Sequence, residues 1–297
     1  MTNITLLDGG MGQELVHRAG DRPTPLWSTQ VMLDHPGLVS QVHRDFFEAG
    51  ATVASTNTYA IHRDRLAPVG MEDSFAALHA AAMAEACAAR DAHGSGRIAG
   101  TIGPLGASYR PDLHPEHSVA VAAYSELAGM VAAGSDIVLF ETIASVAHAR
   151  AGLEAGLTIG LPVWLAMTVD DEDGSRLRSG EPLAEVTAIA RDGAAAVLAN
   201  CSAPEAMPAA LEALAAGDLP IGAYANAFTQ ITKEFLKDRP TVDALSARRD
   251  MGPDAYAGHA MAWVDQGATI VGGCCETGPA HIAAVAAALR DKGHTLV

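Results

Sequence analysis

Eight short runs rich in Val, Ile, Leu and Ala recur along the chain, at 4–7, 51–55, 97–102, 136–140, 162–168, 195–199, 220–225 and 268–271, each ending in Gly, Asn or a polar residue. They read as strands. Between them lie Ala-, Glu- and Leu-rich stretches with helical spacing of apolar positions, among them 74–92, 117–133, 146–155, 183–192 and 204–215. Pro204 stands near the start of one stretch, Gly94 and Gly217 follow the ends of others, and the pairs Ala49-Gly50, Ala133-Gly134 and Asp192-Gly193 precede the next strands. Eight such alternations within 297 residues predict an α/β fold, a (β/α)8 TIM barrel. An open doubly wound sheet is the alternative, but it has no need of eight units. No linker rich in Gly, Ser or Pro divides the chain, so residues 1–297 are expected to form one domain. The segments 103–115 and 229–253 exceed ordinary connections and are expected to lie over a site.

Composition narrows the function. Nineteen Lys and Arg stand against 35 Asp and Glu, a net charge of −16 that disfavours a nucleic-acid partner. With 49% apolar and 18% charged residues the chain can bury a large core. No window reaches the 18 to 20 or so unbroken apolar residues of a membrane span, and the N-terminus reads as a first strand rather than a signal peptide. A cytoplasmic protein is expected. Its four cysteines, Cys87, Cys201, Cys274 and Cys275, are too few for a disulfide scaffold.

Barrel chemistry gathers at the C-terminal ends of the strands, which makes the candidate residues few. The first strand delivers Asp8, Gly9 and Gly10; the second Thr56, Asn57 and Tyr59; the fourth Glu141; the sixth Cys201; the seventh Asn226; the eighth Cys274 and Cys275. The sixth and eighth strands flank the seventh, so three cysteines would converge on one rim. Sulfur-rich sites suit zinc, and three protein ligands leave a fourth position open, as in catalytic sites. Neighbouring strand side chains point oppositely, so Cys274 and Cys275 can share a metal only if the backbone turns, which Gly272 and Gly273 would allow. Cys87, in an Ala-rich stretch, reads as a small core residue.

The motifs LLDGGMGQEL at 6–15, TNTY at 56–59, ET at 141–142, NCS at 200–202 and GGCCETGPAHI at 272–282 together resemble the homocysteine S-methyltransferase family. The resemblance implies a zinc-dependent (β/α)8 barrel that methylates the thiol of homocysteine to give methionine. It implies Cys201, Cys274 and Cys275 as zinc ligands, with Asn226 approaching the metal when substrate is absent. Asp8, Gly9, Gly10 and Glu141 match positions that hold the amino acid end of homocysteine, and Thr56 and Asn57 fall beside them. Trp27 and Tyr59 resemble aromatic positions near the methyl donor. S-methylmethionine or S-adenosylmethionine is the favoured donor; betaine, or another thiol as acceptor, is the alternative.

The chemistry of the residues agrees. A free thiol is mostly protonated at neutral pH, and a metal removes that proton. Asp8 and Glu141 offer acceptors to an α-ammonium, and backbone N–H groups near Gly9 and Gly10 could receive its carboxylate. Asp8 could instead cap a helix. Other classes remain: a zinc hydrolase or lyase using His114 and His117, or a non-catalytic thiol- or zinc-binding protein. The acidic run 170–173 lacks calcium-loop spacing and reads as a solvated loop.

Overall fold

The computed structural model describes residues 2–20, 24, 26–229, 231 and 247–297. Strands β1 (Asn3–Leu6), β2 (Val53–Ser55), β3 (Arg97–Ile102), β4 (Ile137–Ile143), β5 (Val163–Met167), β6 (Ala196–Asn200), β7 (Ile221–Ala225) and β8 (Ile270–Gly273) coincide with the eight expected runs to within a few residues. Each pairs in parallel with its sequence neighbour, and β8 returns to β1. A parallel bridge from Leu7 to Val53 joins β1 to β2 and closes the (β/α)8 barrel. The short β9 (Thr295–Leu296), which nothing in the sequence announced, adds in parallel to the start of β1.

Two cores explain why unbroken apolar runs were selected. Inside the barrel, Leu7, Val53, Ala99, Ile137, Leu139, Trp164, Ala166, Leu198, Tyr224 and Ile270 form a closed cluster. Where a strand contributes twice, its residues are two apart, as the pleat requires. The intervening residues, such as Val138, Phe140, Leu165 and Val197, face outward into the larger core beneath the helices. A strand with both faces buried has no room for alternation.

Helices follow the expected stretches: Phe75–His93, His117–Ala132, Val146–Leu157, Ala184–Ala190 and Met207–Leu214. Gly94 closes the first in the left-handed conformation, at φ 84°, with its N–H on the Arg90 carbonyl. The fourth strand departs from expectation. It runs on to Ile143 through a register shift after Phe140, so Glu141 lies within the strand rather than beyond its end. No helix among the described residues is long and apolar enough to cross a membrane.

Candidate metal and thiol site

At the C-terminal mouth of the barrel lies a cavity of about 390 Å³, lined by residues at or just beyond the ends of β1, β2, β3, β4, β6, β7 and β8. Of the sequence-predicted residues, Asp8, Gly9, Gly10, Trp27, Thr56, Asn57, Tyr59, Glu141, Cys201, Cys274 and Cys275 all line it; Asn226 does not. The segment 103–115 does lie over the site, contributing Gly106 to Arg110 to the wall. The larger part of the second expected cover, 229–253, falls outside the described residues.

The three thiols come together. The sulfurs of Cys201, Cys274 and Cys275 lie within 4.8 Å of one another, and Cys201 Sγ is 2.9 Å from Cys274 Sγ. All are free thiols. Two backbone devices bring this about. Cys201, the first residue past β6, takes φ 52°, with its N–H on the Tyr224 carbonyl. Beyond β8 the chain turns at once: Thr277 N–H and Oγ1 both bond the Cys274 carbonyl, at 3.2 and 2.6 Å, with Glu276 at φ 62°. Adjacent cysteines therefore reach one point, as a shared site demands.

The glycines before that turn act differently from the expectation. Gly272 and Gly273 do not supply a positive φ; they supply room. A Cβ on Gly273 would stand 2.1 Å from Thr277 Oγ1, and one on Gly272 2.5 Å from Leu7 Cβ. Gly10 likewise has its N–H spent on the Thr277 carbonyl at 2.8 Å, so that group is not free to receive a substrate carboxylate. Asn226 is buried, and its Oδ1 accepts from Cys275 N–H at 3.2 Å, bracing the turn.

Among the described residues, the non-glycine residues with positive φ are Trp27, Tyr109, Thr142, Cys201 and Glu276. The first four line the cavity and the fifth follows Cys275. Such conformations cost about 1–3 kcal/mol each and persist where the surroundings over-determine them. Their gathering here marks the site independently of residue type.

Electrostatically the inner end of the cavity awaits a cation. Hydrogen bonds from Cys274 and Cys275 hold the Cys201 thiol well below its ordinary range, and those same bonds, with burial and the charge on Cys201, push the other two up. Three thiols around one point cannot all ionise unaided, and a divalent metal would resolve the conflict. Soft sulfur donors in this number fit such an ion. Burial pushes Asp8 up to about 7 against the bonds it accepts from Ser55 Oγ and N, at 2.7 and 2.8 Å. Burial, the Cys201 thiolate and Asp8 push Glu141 up to about 8, while Tyr224 donates to its Oε2 at 2.9 Å. Neither carboxylate has a cationic partner among the described residues.

Sequence reasoning missed several contributors. Tyr109 donates toward Cys201 Sγ at 3.1 Å from an irregular loop that carries no motif. Asp171, expected in a solvated loop, is instead buried with Arg178 at 2.8 Å, and its carboxylate accepts from the N–H groups of Ala203 and Ile231. It thereby joins the exits of β5, β6 and β7 behind Cys201. Only its neighbours Glu172 and Asp173 are solvated. His114 is partly buried against the His148 ring at 3.9 Å, and the exposed His117 meets Glu154 at 2.9 Å. Neither joins the cysteines, so the hydrolase or lyase reading that used them has no support among the described residues.

Thr56 Oγ1 bonds Thr58 Oγ1 and the Thr101 N–H, and Asn57 Nδ2 donates to the Ser28 carbonyl, so both brace the second loop. Trp27 and Tyr59 meet edge to face at 6.4 Å across the aromatic wall.

The family model described as homocysteine S-methyltransferase matches residues 5–289. The chain belongs to the homocysteine S-methyltransferase family. Homocysteine S-methyltransferase of Escherichia coli strain K12 is 30% identical, over 96% of this chain and 95% of its own. Selenocysteine Se-methyltransferase of Brassica oleracea var. italica is 26% identical, over 94% of this chain and 87% of its own. Among solved structures, the metallated form of the homocysteine methyltransferase MmuM from Escherichia coli superposes with a TM-score of 0.79 at 29% identity, covering 96% of each chain. The chain is accordingly an enzyme, a methyltransferase, and its three cysteines form a group able to hold a metal.

Proposed function

We propose that the enzyme holds Zn²⁺ on Cys201, Cys274 and Cys275 and moves a methyl group from a small onium donor to the thiol of homocysteine, giving methionine. The observation that carries this reading is the convergence of three thiols beside the buried Asp8 and the half-buried Glu141, which have no cationic partner among the described residues. When bound, zinc supplies Lewis acidity, lowering the pKa of a substrate thiol and fixing its sulfur. Asp8 and Glu141 receive the α-ammonium at the inner end, and Tyr224 orients Glu141. The Trp27 and Tyr59 rings face the onium. In the reaction the thiol gives up its proton to solvent water and its sulfur forms the S–CH₃ bond. The bond from donor heteroatom to methyl breaks, and the electron pair stays on the departing neutral thioether or amine. No general base beyond the loss of the thiol proton is needed, so alignment supplies the catalysis. A thiol site of this kind works reduced, in keeping with the cytoplasm.

Mass spectrometry of methionine from zinc-loaded enzyme, homocysteine and S-methylmethionine, S-adenosylmethionine, betaine or methyltetrahydrofolate in separate reactions tests the proposal. Turnover is expected with a sulfonium donor. Zinc-loaded enzyme inactive with all four would overturn the donor assignment.

The carboxylates also set a pH dependence. A buried carboxylate held protonated must lose its proton before it can receive an ammonium, so homocysteine binds more weakly as pH falls through the raised pKa. With Asp8 near 7, this group should raise the homocysteine KM by about 10-fold between pH 8 and pH 6. The substrate thiol and Glu141, raised to about 8, add their own slopes, which Asp8→Asn largely keeps. The difference between wild-type and Asp8→Asn slopes therefore reads Asp8, and equal slopes would remove it from the amino-binding end. In the ligand-free protein the same shift has the opposite consequence: stability from Asp8 is present below pH about 4 and is lost as pH rises toward 7.

A further inference from the structure

The cavity has two electrical ends. Its inner end holds the thiols with Asp8 and Glu141, and its only cationic lining residues among those described are Arg65 and Arg110. Arg110 is taken up by Asp112, which it grips through two bonds of 2.7 and 2.6 Å. Arg65 has no carboxylate within ion-pair distance among the described residues. Among the described residues its Nη2 reaches only the Pro104 carbonyl, at a long 3.4 Å, and its Nε is buried with no acceptor. The adjacent Asp64 also lines the cavity, but its carboxylate accepts from Gly106 N–H at 2.9 Å and forms no ion pair with Arg65.

A guanidinium carries five N–H donors in a fixed fork, the geometry that a carboxylate matches. Leaving them this poorly met beside a cavity is costly unless a ligand completes them. The location says which ligand. Arg65 Cζ stands 5.7 Å from the centroid of the Tyr59 ring, which forms the aromatic wall with Trp27. That wall suits an onium group, but a fixed positive charge beside it repels a bare cation. A molecule carrying both an onium and a carboxylate satisfies both, with its onium on the rings and its carboxylate on the guanidinium.

Resting on the methyl-transfer reading above, we propose that Arg65 anchors the carboxylate of the methyl donor. The inner negative end draws the onium and its methyl toward the thiols, and Arg65 holds the leaving portion outward. The line of the molecule thus follows the line of transfer. Arg65 is a binding residue for the donor and takes no part in the electron shift.

The test compares wild type, Arg65→Gln and Arg65→Lys, all zinc-loaded, with S-methylmethionine and dimethylsulfoniopropionate as carboxylate-bearing donors and trimethylsulfonium as the donor without one. Arg65→Gln is expected to raise KM for both acids about 10- to 100-fold, the worth of a charge-assisted bond. The homocysteine KM and the zinc content should stay at wild-type values, which also shows that the variant is folded. Trimethylsulfonium should bind no worse to Arg65→Gln than to wild type, and Arg65→Lys should recover part of the loss. Calorimetry of dimethylsulfoniopropionate against the metal-free protein gives the same comparison without turnover. Equal losses for donors with and without the carboxylate, or a rise confined to the homocysteine KM, would overturn the anchor. Methionine from none of the donors with the wild-type enzyme would instead overturn the methyl-transfer reading beneath it.

Discussion

Cys201→Ser is expected to remove metal and methyl transfer together. The sulfur of Cys201 is the one that the other two thiols and Tyr109 all address, and its thiol is the one held low. Serine keeps the volume to within an atom but replaces a soft, ionisable donor with a hydroxyl that stays protonated at neutral pH. Two thiols then remain, one ligand short of the three that converge on one point, in a pocket too buried to tolerate a poorly compensated ion. A substrate thiol without metal is only a few per cent ionised near pH 7 and is no longer held in line. Those two losses multiply, so activity should fall by at least about 10³-fold. Zinc measured by plasma emission should drop from one ion per chain to a small fraction. Cys274→Ser and Cys275→Ser should behave alike, since the three sulfurs share one point. Cys87→Ser is the control. That residue packs near Gly134 on the helix Phe75–His93, remote from the cluster, and its loss should leave metal content and rate unchanged. Full turnover in a metal-free variant lacking all three clustered cysteines would sink the mechanism.

The fold was legible because parallel barrel strands are buried on both faces. Val163–Met167, Ala196–Asn200 and Ile221–Ala225 are buried at every position, which is what makes such short, nearly unbroken apolar runs. The residues at the strand exits were legible for the same reason, since a polar residue directly after such a run has few other places to be. What escaped was set by the backbone and by distant contacts. The shift in β4 that draws Glu141 inside the strand depends on its register with β5, which no local pattern encodes. The acidic run 170–173 looks uniform in sequence, yet Asp171 alone meets Arg178 in the interior. Tyr109 sits in a loop where an aromatic residue has no periodicity to place it. Gly272 and Gly273 were correctly associated with the cysteine turn, but their purpose, closeness to Leu7 and Thr277, belongs to tertiary packing. Sequence thus announced which side chains do the chemistry more clearly than it announced what holds them.

What holds them can be tested at Gly10, where the exit of β1 is interlocked with the exit of β8. Gly10 N–H bonds the Thr277 carbonyl at 2.8 Å and Gly273 N–H bonds the Asp8 carbonyl at 2.9 Å, so the two loops share their polar groups. A Cβ at position 10 would lie 2.5 Å from the Cys274 carbonyl oxygen and 3.1 Å from Cys275 Cα. Both neighbours are backbone, and neither can rotate away. Gly10 itself sits at φ −71° and ψ 73°, an inverse γ-turn conformation open to alanine, so the main effect of Gly10→Ala falls on the cysteine pair. Restoring normal contact requires a displacement of roughly 1 Å, and misplacement on that scale costs about 10²-fold in a positioned reaction. The overpacking itself costs about 1–3 kcal/mol, a matter of several degrees in Tm for a chain of this size. Gly10→Ala should therefore keep its fold, bind zinc more weakly in chelator competition and lose about 100-fold in rate. Gly258→Ala gives the contrast: it lies within the helix Pro253–Asp265 with nothing within 4 Å of the added carbon, and it should be neutral or slightly stabilising. If Gly10→Ala retained wild-type zinc affinity and rate, the contact between the two loops would not be what sets the position of Cys274 and Cys275. The turn held by Thr277 would then have to suffice alone.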